Sequence, residues 1–330
     1  MSKMLALASP HTHAGTSTTR LMYIVAACLL PAAAAGVLYF GLPALIVLAS
    51  CIAAACLSEW LCLLLRRRDW RACMDGSALL TGLLLAMSLP ASTPWWVAAF
   101  GSAFAIIIGK QVFGGLGHNP FNPAMLGRVM LLICFPVELT DWRAIATPDF
   151  ADGEIILSAA WQGIDAISAA TPLYNMAEGL SLVELVSGAH PGSLGETSSI
   201  LILLGGLALV WLKIIRPVIP VALLLGLGAP ALVAHLIAPE SFDSILHHWL
   251  SGGTMLAAFF IATDLVSSPT SNKGQWVFGL GCGLLIWLIR SFGSYPEGVA
   301  FAVLIMNAAT PVIDHYLRPA VFGSQSAHLQ

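Results

Sequence analysis

Asp75-Gly-Ser-Ala-Leu-Leu-Thr-Gly-Leu-Leu-Leu-Ala-Met-Ser-Leu-Pro90 is an apolar run opened by glycine and closed by proline. It falls short of the roughly 20 residues that a simple membrane helix needs. The same design returns late in the chain as Ser251-Gly-Gly-Thr-Met-Leu-Ala-Ala-Phe-Phe-Ile-Ala-Thr-Asp-Leu-Val-Ser-Ser-Pro269. Each run is followed by a helix that starts at a tryptophan, Trp95 or Trp276, and runs into a Gly-rich break. The breaks are Gly114–Pro123 and Gly293–Gly298, and each opens into a further apolar span. Short or Gly/Pro-broken segments at matching positions are the sequence pointer to a central site in inverted-repeat membrane folds.

The rest of the chain supports that reading. Hydrophobic residues make up 58% of the 330 and charged residues only 9%, against roughly 25% charged in a typical soluble domain. Mean hydropathy is +0.86. Ten apolar spans can be threaded: Leu21–Phe40, Ala44–Leu65, Ala78–Leu89, Trp95–Phe113 and Ala124–Phe135, then Ser198–Leu212, Val218–Ile237, Thr254–Val266, Trp276–Ile289 and Val299–Ile313. Trp95 and Trp96 read as interface anchors. Five spans per half is an odd number, so two copies joined in one chain must be inverted relative to each other. The expected fold is an all-α polytopic membrane protein of about ten transmembrane helices, built as two inverted five-helix repeats with broken or short helices, plus one external loop.

Lysine and arginine orient this arrangement by the positive-inside rule. With the N-terminus inside, Lys3, Arg20, Arg66, Arg67, Arg68, Arg71, Lys110, Arg128, Lys213, Arg216, Lys273 and Arg318 fall at the inner side, and only Arg143 and Arg290 outside. The expected organisation is therefore a cytoplasmic tail at 1–20, a first repeat at 21–136, an external loop at 137–197, a second repeat at 198–316 and a cytoplasmic tail at 317–330. Residues 1–20 are polar and lack the form of a cleavable signal peptide. The loop holds nine acidic residues and one basic one.

Three places carry chemistry-bearing residues. Asn119-Pro-Phe-Asn-Pro123 sets two amides three residues apart, each before a proline. They read either as turn residues or as hydrogen-bonding edges for a flat heteroaromatic ligand in a broken segment. Asp165-Ala-Ile-Ser-Ala-Ala-Thr171-Pro lies in the loop, with Pro172 biasing Thr171 toward extended chain; Thr171 reads as an ordinary loop hydroxyl or as a modification acceptor. Asp264 reads as an interfacial acid or as a functional intramembrane one. Histidines, acids and cysteines show no metal-ligand spacing. The seven cysteines include no C-x-x-C pair, and neither a disulfide nor an iron–sulfur cluster is expected. There is no phosphate loop and no dinucleotide-binding Gly-rich turn, so hydride chemistry from soluble NAD is not built in. No nucleic-acid partner is expected.

Gly114-Gly-Leu-Gly-His-Asn-Pro-Phe-Asn-Pro-Ala124, Ser168-Ala-Ala-Thr171, Gly192-Ser-Leu-Gly-Glu-Thr-Ser198 and Thr263-Asp-Leu-Val-Ser-Ser-Pro269, in this order, resemble the D subunit of the Rnf (Rsx) ion-translocating electron transport complex. The B subunit of the sodium-pumping NADH:quinone reductase is the wider relative. The resemblance runs from Arg20 to Tyr316. It implies covalent FMN on Thr171 through a phosphoester, with Asp165 and Ser168 as the matching motif residues. Ala169 stands where the family has glycine, and a positive φ there would strain an alanine. It also implies a non-covalent flavin, riboflavin, near Asn119 and Asn122.

The partners implied are the A, B, C, E and G subunits, with the FMN-bearing G subunit nearest, and a flavin transferase for maturation. The location implied is the bacterial inner membrane, with the loop periplasmic. The chain would be a subunit of a translocating oxidoreductase, not catalytic alone, coupled to Na⁺ or H⁺ movement. The competing reading from the repeat alone is a channel or transporter for a small polar solute, since a fold does not fix a function. A purely structural membrane scaffold also fits the composition.

Overall fold

A computed structural model describes residues 17–142, 192–196, 199–239, 242–293 and 297–318. The described residues are helical throughout, apart from connecting turns and one isolated antiparallel bridge between Pro90 and Ser193. In the first half the helices are α1 (Thr18–Phe40), α2 (Leu42–Leu65), α3 (Ser77–Met87), α4 (Trp95–Ile106), α5 (Pro123–Cys134) and α6 (Pro136–Thr140). In the second they are α7 (Ser199–Trp211), α8 (Val218–Ile237), α9 (Ile245–Leu250), α10 (Thr254–Leu256), α11 (Asn272–Phe292) and α12 (Val299–Tyr316). A 3₁₀ turn spans Trp70–Asp75, and π turns extend α4 over Ile107–Gln111 and α10 over Ala257–Ile261. Five helices, α1, α2, α8, α11 and α12, are long and apolar enough to cross a membrane. Each of the ten spans read from the sequence contains a helix. The short helices α6 and α9 and the 3₁₀ turn lie in stretches that the hydropathy reading leaves as connections.

The two Gly-opened runs are the buried centre. In α3, Ser77, Ala78 and Thr81 through Met87 are all buried. Every residue from Thr254 to Ile261 is buried too. A helix that is apolar on all sides belongs in the interior, and these two lie there. The longer helices instead turn leucines, valines and tryptophans outward. Leu38, Leu57, Trp95, Trp211, Leu236 and Ile237 are among the exposed large apolar residues, as expected of a lipid-facing surface.

The second run ends sooner than the sequence suggests. The Asp264 carboxylate accepts hydrogen bonds from the Val266 amide at 3.3 Å and the Ser267 hydroxyl at 2.9 Å. Such local bonds offer the backbone an alternative to the helix, so the run turns after Ile261.

The halves use matching contacts. α2 packs on α4 in the first and α8 on α11 in the second, while α1 meets α7 and α5 meets α12 across the halves. The α8–α11 contact is glycine-lined: a Cβ on Gly283 would overlap the carbonyl oxygen of Leu223, and one on Gly226 that of Leu280. Small residues of this kind let membrane helices approach closely.

Two basic residues meet opposite ends of α3. Lys110 contacts Ser77, at the first turn of α3, whereas Arg128 donates to the carbonyl of Ser88, just past its last turn. The helix rise of 1.5 Å per residue puts these ends roughly 16 Å apart. Arg128 therefore does not share the Lys110 end of α3. Its guanidinium is held by acid and carbonyl partners contributed by other segments, which hydropathy cannot reveal.

Candidate functional site: a cavity between two broken helices

Between α1, α3, the Gly114–Pro123 break and the end of the second short run lies a cavity of about 800 Å³ of empty space, its open mouth included; none of the described residues of the Gly293–Gly298 break lines it. Small-molecule pockets are lined mainly by apolar side chains with a few placed polar groups. Leu80, Leu84, Phe259 and Phe260 supply apolar wall, and Ser77, Thr81, Lys110, Asn119, Asn122, Thr263 and Asp264 supply polar atoms.

The first break and the end of the second run are joined by side chains. Asn122 caps α5, its Oδ1 accepting from the amides of Ala124 at 3.0 Å and Met125 at 3.3 Å. Pro123 follows at the first helical position, where its missing N–H costs nothing. The Asn122 Nδ2 donates to Ile261 O, at the end of the second π turn, at 3.2 Å. Asn307 in α12 completes the junction. With its amide set by its partners, its oxygen accepts from the Asn122 amide at 2.9 Å and its nitrogen donates to Ser267 O at 3.3 Å. Asn122 thus lines the cavity with its side chain fully engaged. Asn119 differs: its Nδ2 donates to Phe121 O at 3.0 Å, while its Oδ1 has no donor among the described residues.

The first π turn brings a charge to the wall. One extra residue in the turn directs both Lys110 and Gln111 inward, at 2% and 5% exposure. Lys110 Nζ pairs with Glu59 Oε1 of α2 at 2.5 Å. It also donates to Ser77 Oγ, which in turn donates to Asp75 Oδ1. Gln111 Nε2 adds a second bond to Glu59 Oε1 at 2.8 Å, and Arg66 donates to Gln111 Oε1 at 3.1 Å. π turns recur at functional positions, and a buried ion pair needs such extra bonds to persist.

A second polar cluster lies at the other end of α3. Arg128 pairs with Glu297 at 2.6 Å. Residues 192–196, the end of the expected external loop, are buried against it, with Gly195 N donating to Met87 O at 2.6 Å and Leu194 N to Leu89 O at 3.1 Å. Ser193 donates to Glu196 Oε1 at 2.8 Å. Burial, and after it the negative charge of Glu297, push the Glu196 carboxyl up to about 7. Arg290 holds the backbone of the neighbouring turn, donating to His248 O at 2.8 Å and Ser251 O at 3.1 Å.

Of the site residues expected from sequence, Asn119 and Asn122 come together on the cavity with Asp264. Asp165, Ser168 and Thr171 lie outside the described residues. The sequence reading does not single out Lys110, Glu59, Asn307 or the Glu196–Glu297 cluster as site residues. Glu59 carries a signal, being the single acid in the apolar run Ala44–Leu65, and Asn307 is the lone amide in Val299–Ile313.

The model of the NQR2, RnfD, RnfE family matches residues 6–323. The D subunit of the ion-translocating oxidoreductase complex of Cronobacter sakazakii is 45% identical, over 96% of this chain and 97% of its own length. The proteins of the same name from Escherichia coli O9:H4 and Escherichia coli K12 are each 44% identical, with the same coverage. Full-length similarity at this level, with the Asn-Pro motif seated at the junction of two broken helices, leaves one conclusion: the chain belongs to the NQR2, RnfD, RnfE family.

Proposed function

We propose that this chain is the D subunit of an Rnf-type ion-translocating oxidoreductase complex and carries electrons through two flavins. FMN is held covalently by Thr171, with Asp165 and Ser168 around it, on a periplasmic loop at 137–197, and a flavin transferase installs it. Riboflavin occupies the cavity at the helix breaks. The two halves are inverted copies, with both termini cytoplasmic in the bacterial inner membrane. The A, B, C, E and G subunits are the partners, G being the nearest source of electrons. Electron flow is coupled to Na⁺ or H⁺ movement in a translocase reaction to which this chain contributes no catalysis alone.

The observation that carries the proposal is the cavity itself. Its polar atoms suit a planar ring with a hydrogen-bonding edge: Asn119 Oδ1 lacks a donor among the described residues, and Lys110 offers a cationic one. Phe259 and Phe260 give apolar wall beside them. Thr81 and Thr263 spend their hydroxyl protons on Ser77 O at 2.8 Å and Phe259 O at 2.7 Å, so they present lone pairs only. Riboflavin, when bound, supplies the redox chemistry, and the chain sets its position and surroundings. A carrier inside the membrane domain is needed because roughly 30 Å of hydrocarbon is too far for one fast electron step.

Two measurements test this. Under ultraviolet light on a denaturing gel, the chain co-expressed with a flavin transferase gives a fluorescent band, and Thr171→Ala makes it dark. Acid extraction of the native protein releases riboflavin at about one per chain, and Thr171→Ala leaves that amount unchanged. A fluorescent Thr171→Ala band removes Thr171 as the acceptor. An extract free of riboflavin removes the cavity's occupant.

A further inference from the structure

We propose that Lys110 Nζ is the proton donor to the ring reduced in the cavity, and that Ser77 and Asp75 return the proton to it from the nearby membrane face. The proposal rests on the riboflavin reading of this cavity. Among the described lining residues only Lys110 and Asp264 carry ionisable side chains. The Asp264 carboxylate acts as an acceptor, toward Val266 N and Ser267 Oγ. Both Asp264 oxygens are thus engaged locally, whereas Lys110 Nζ spends two of its three N–H bonds on Glu59 and Ser77 and keeps one for a ring.

The wire behind Lys110 is continuous. Its ammonium donates to Ser77 Oγ, and the Ser77 hydroxyl donates to Asp75 Oδ1. Ser77 is buried, whereas Asp75, at the end of the 3₁₀ turn, is partly exposed. The chain of bonds thus leads from a buried hydroxyl to a partly exposed carboxylate. The groups facing Lys110 are Glu59 and Cys56 on α2, Asp75 and Cys73 on the 3₁₀ turn, and, through Gln111, Arg66. Glu59 is the counter-ion that allows an ammonium to exist at 2% exposure. Its Oε2 has no hydrogen-bond partner among the described residues.

The step balances. For each electron delivered by a reduced flavin of the complex, one Nζ–H bond breaks and one N–H bond forms on the ring. Nζ is left neutral with a lone pair. The Asp75 carboxylate takes a proton from hydronium at the surface, releasing water; the Ser77 hydroxyl then turns to donate its proton to the Nζ lone pair and receives the one held by Asp75, which returns to carboxylate. The net transfer is one electron and one proton to the ring. An uncharged reduced ring is favoured in a cavity whose wall is mostly apolar.

The test uses the assembled complex, with riboflavin extracted and counted first, and protonation of the bound ring then followed by its absorbance after rapid reduction. Lys110→Ala slows ring protonation by about 100-fold or more, the usual weight of a positioned acid, and added methylammonium restores at least part of it. Asp75→Asn keeps the Lys110–Glu59 pair and slows protonation in the second and later turnovers. The Lys110→Met/Glu59→Gln pair leaves no uncompensated charge, folds, and shows the same slow step. Riboflavin retained with an unchanged protonation rate in Lys110→Ala overturns the proposal alone, as does a loss of rate confined to Asp264→Asn. Wild-type complex without riboflavin overturns the occupant and this proposal with it.

Discussion

The side-chain amide of Asn122 donates to the carbonyl of Ile261 at 3.2 Å, tying the first turn of α5 to the last turn of the second half's π segment across 139 positions of sequence. The same side chain caps α5 through its oxygen. One residue therefore closes two helix ends that would otherwise leave polar backbone in an apolar interior, where each unsatisfied group costs several kcal/mol.

Asn122→Ala removes both bonds. Loss of a cap costs about 1 kcal/mol, and the orphaned Ile261 carbonyl adds about 1–3 kcal/mol. Thermal unfolding in detergent, followed by tryptophan fluorescence, is expected at a clearly lower midpoint. Asn122→Ser keeps a capping oxygen and should recover part of the loss. Equal midpoints for Ala and wild type would deny the junction its structural role.

Arg128 and Glu297 make the buried pair at the other end of α3. Removing one partner of such a pair costs about 3–5 kcal/mol, whereas replacing both by neutral residues of similar volume is often tolerated. Arg128→Met should be poorly stable, and Arg128→Met/Glu297→Gln should regain at least half of the loss. A double-mutant cycle on unfolding midpoints measures this. Additive effects would mean that the two charges do not depend on each other.

Glu196 gives stability a pH dependence. Burial raises its carboxyl to about 7 in the folded chain, above an unfolded value of about 4.3. The folded state then holds the proton more tightly than the unfolded state. The stabilisation is full below the unfolded value and is lost as pH rises through about 7. Wild type is expected to unfold more readily at mildly alkaline than at mildly acidic pH, and Glu196→Gln to flatten that trend. A slope equally steep in Glu196→Gln would assign it to another group.

Gly283 tests the α8–α11 contact. A Cβ there would overlap Leu223 O, and carbonyl backbone cannot turn aside as a side chain can. Gly283→Ala should cost about 1–3 kcal/mol by overpacking, and Gly283→Leu should leave little folded protein on size-exclusion chromatography. Gly281, also on α11, faces the flexible end of Met306 instead, so Gly281→Ala should be milder. Equal loss at the two positions would argue against a close backbone contact at Gly283.

The sequence alone determined the helical membrane class, because a membrane-spanning backbone must satisfy its own hydrogen bonds and hydropathy records that locally. It also determined which two runs are short, but it set the second break at Gly293–Gly298, whereas the cavity is lined in the second half by the end of the short run at Thr263–Val266. Only the tertiary structure decided what the polar residues do. Asn119 and Asn122 look alike in Asn119-Pro-Phe-Asn-Pro123, yet one presents an oxygen without a donor among the described residues and the other is consumed in closing two helix ends. That difference depends on Ile261 and Asn307, which are brought beside Asn122 only by folding. Lys110, Glu59, Ser77 and Asp75 are likewise scattered over three segments and meet at one wall. A charge count places each base by its nearest helix end, but Arg128 is placed by Ser88 and Glu297, 40 and 169 positions away. Hydrophobic periodicity is a property of neighbours in sequence, whereas a site is made of neighbours in space, and the pairing of buried polar groups decides which residues those are.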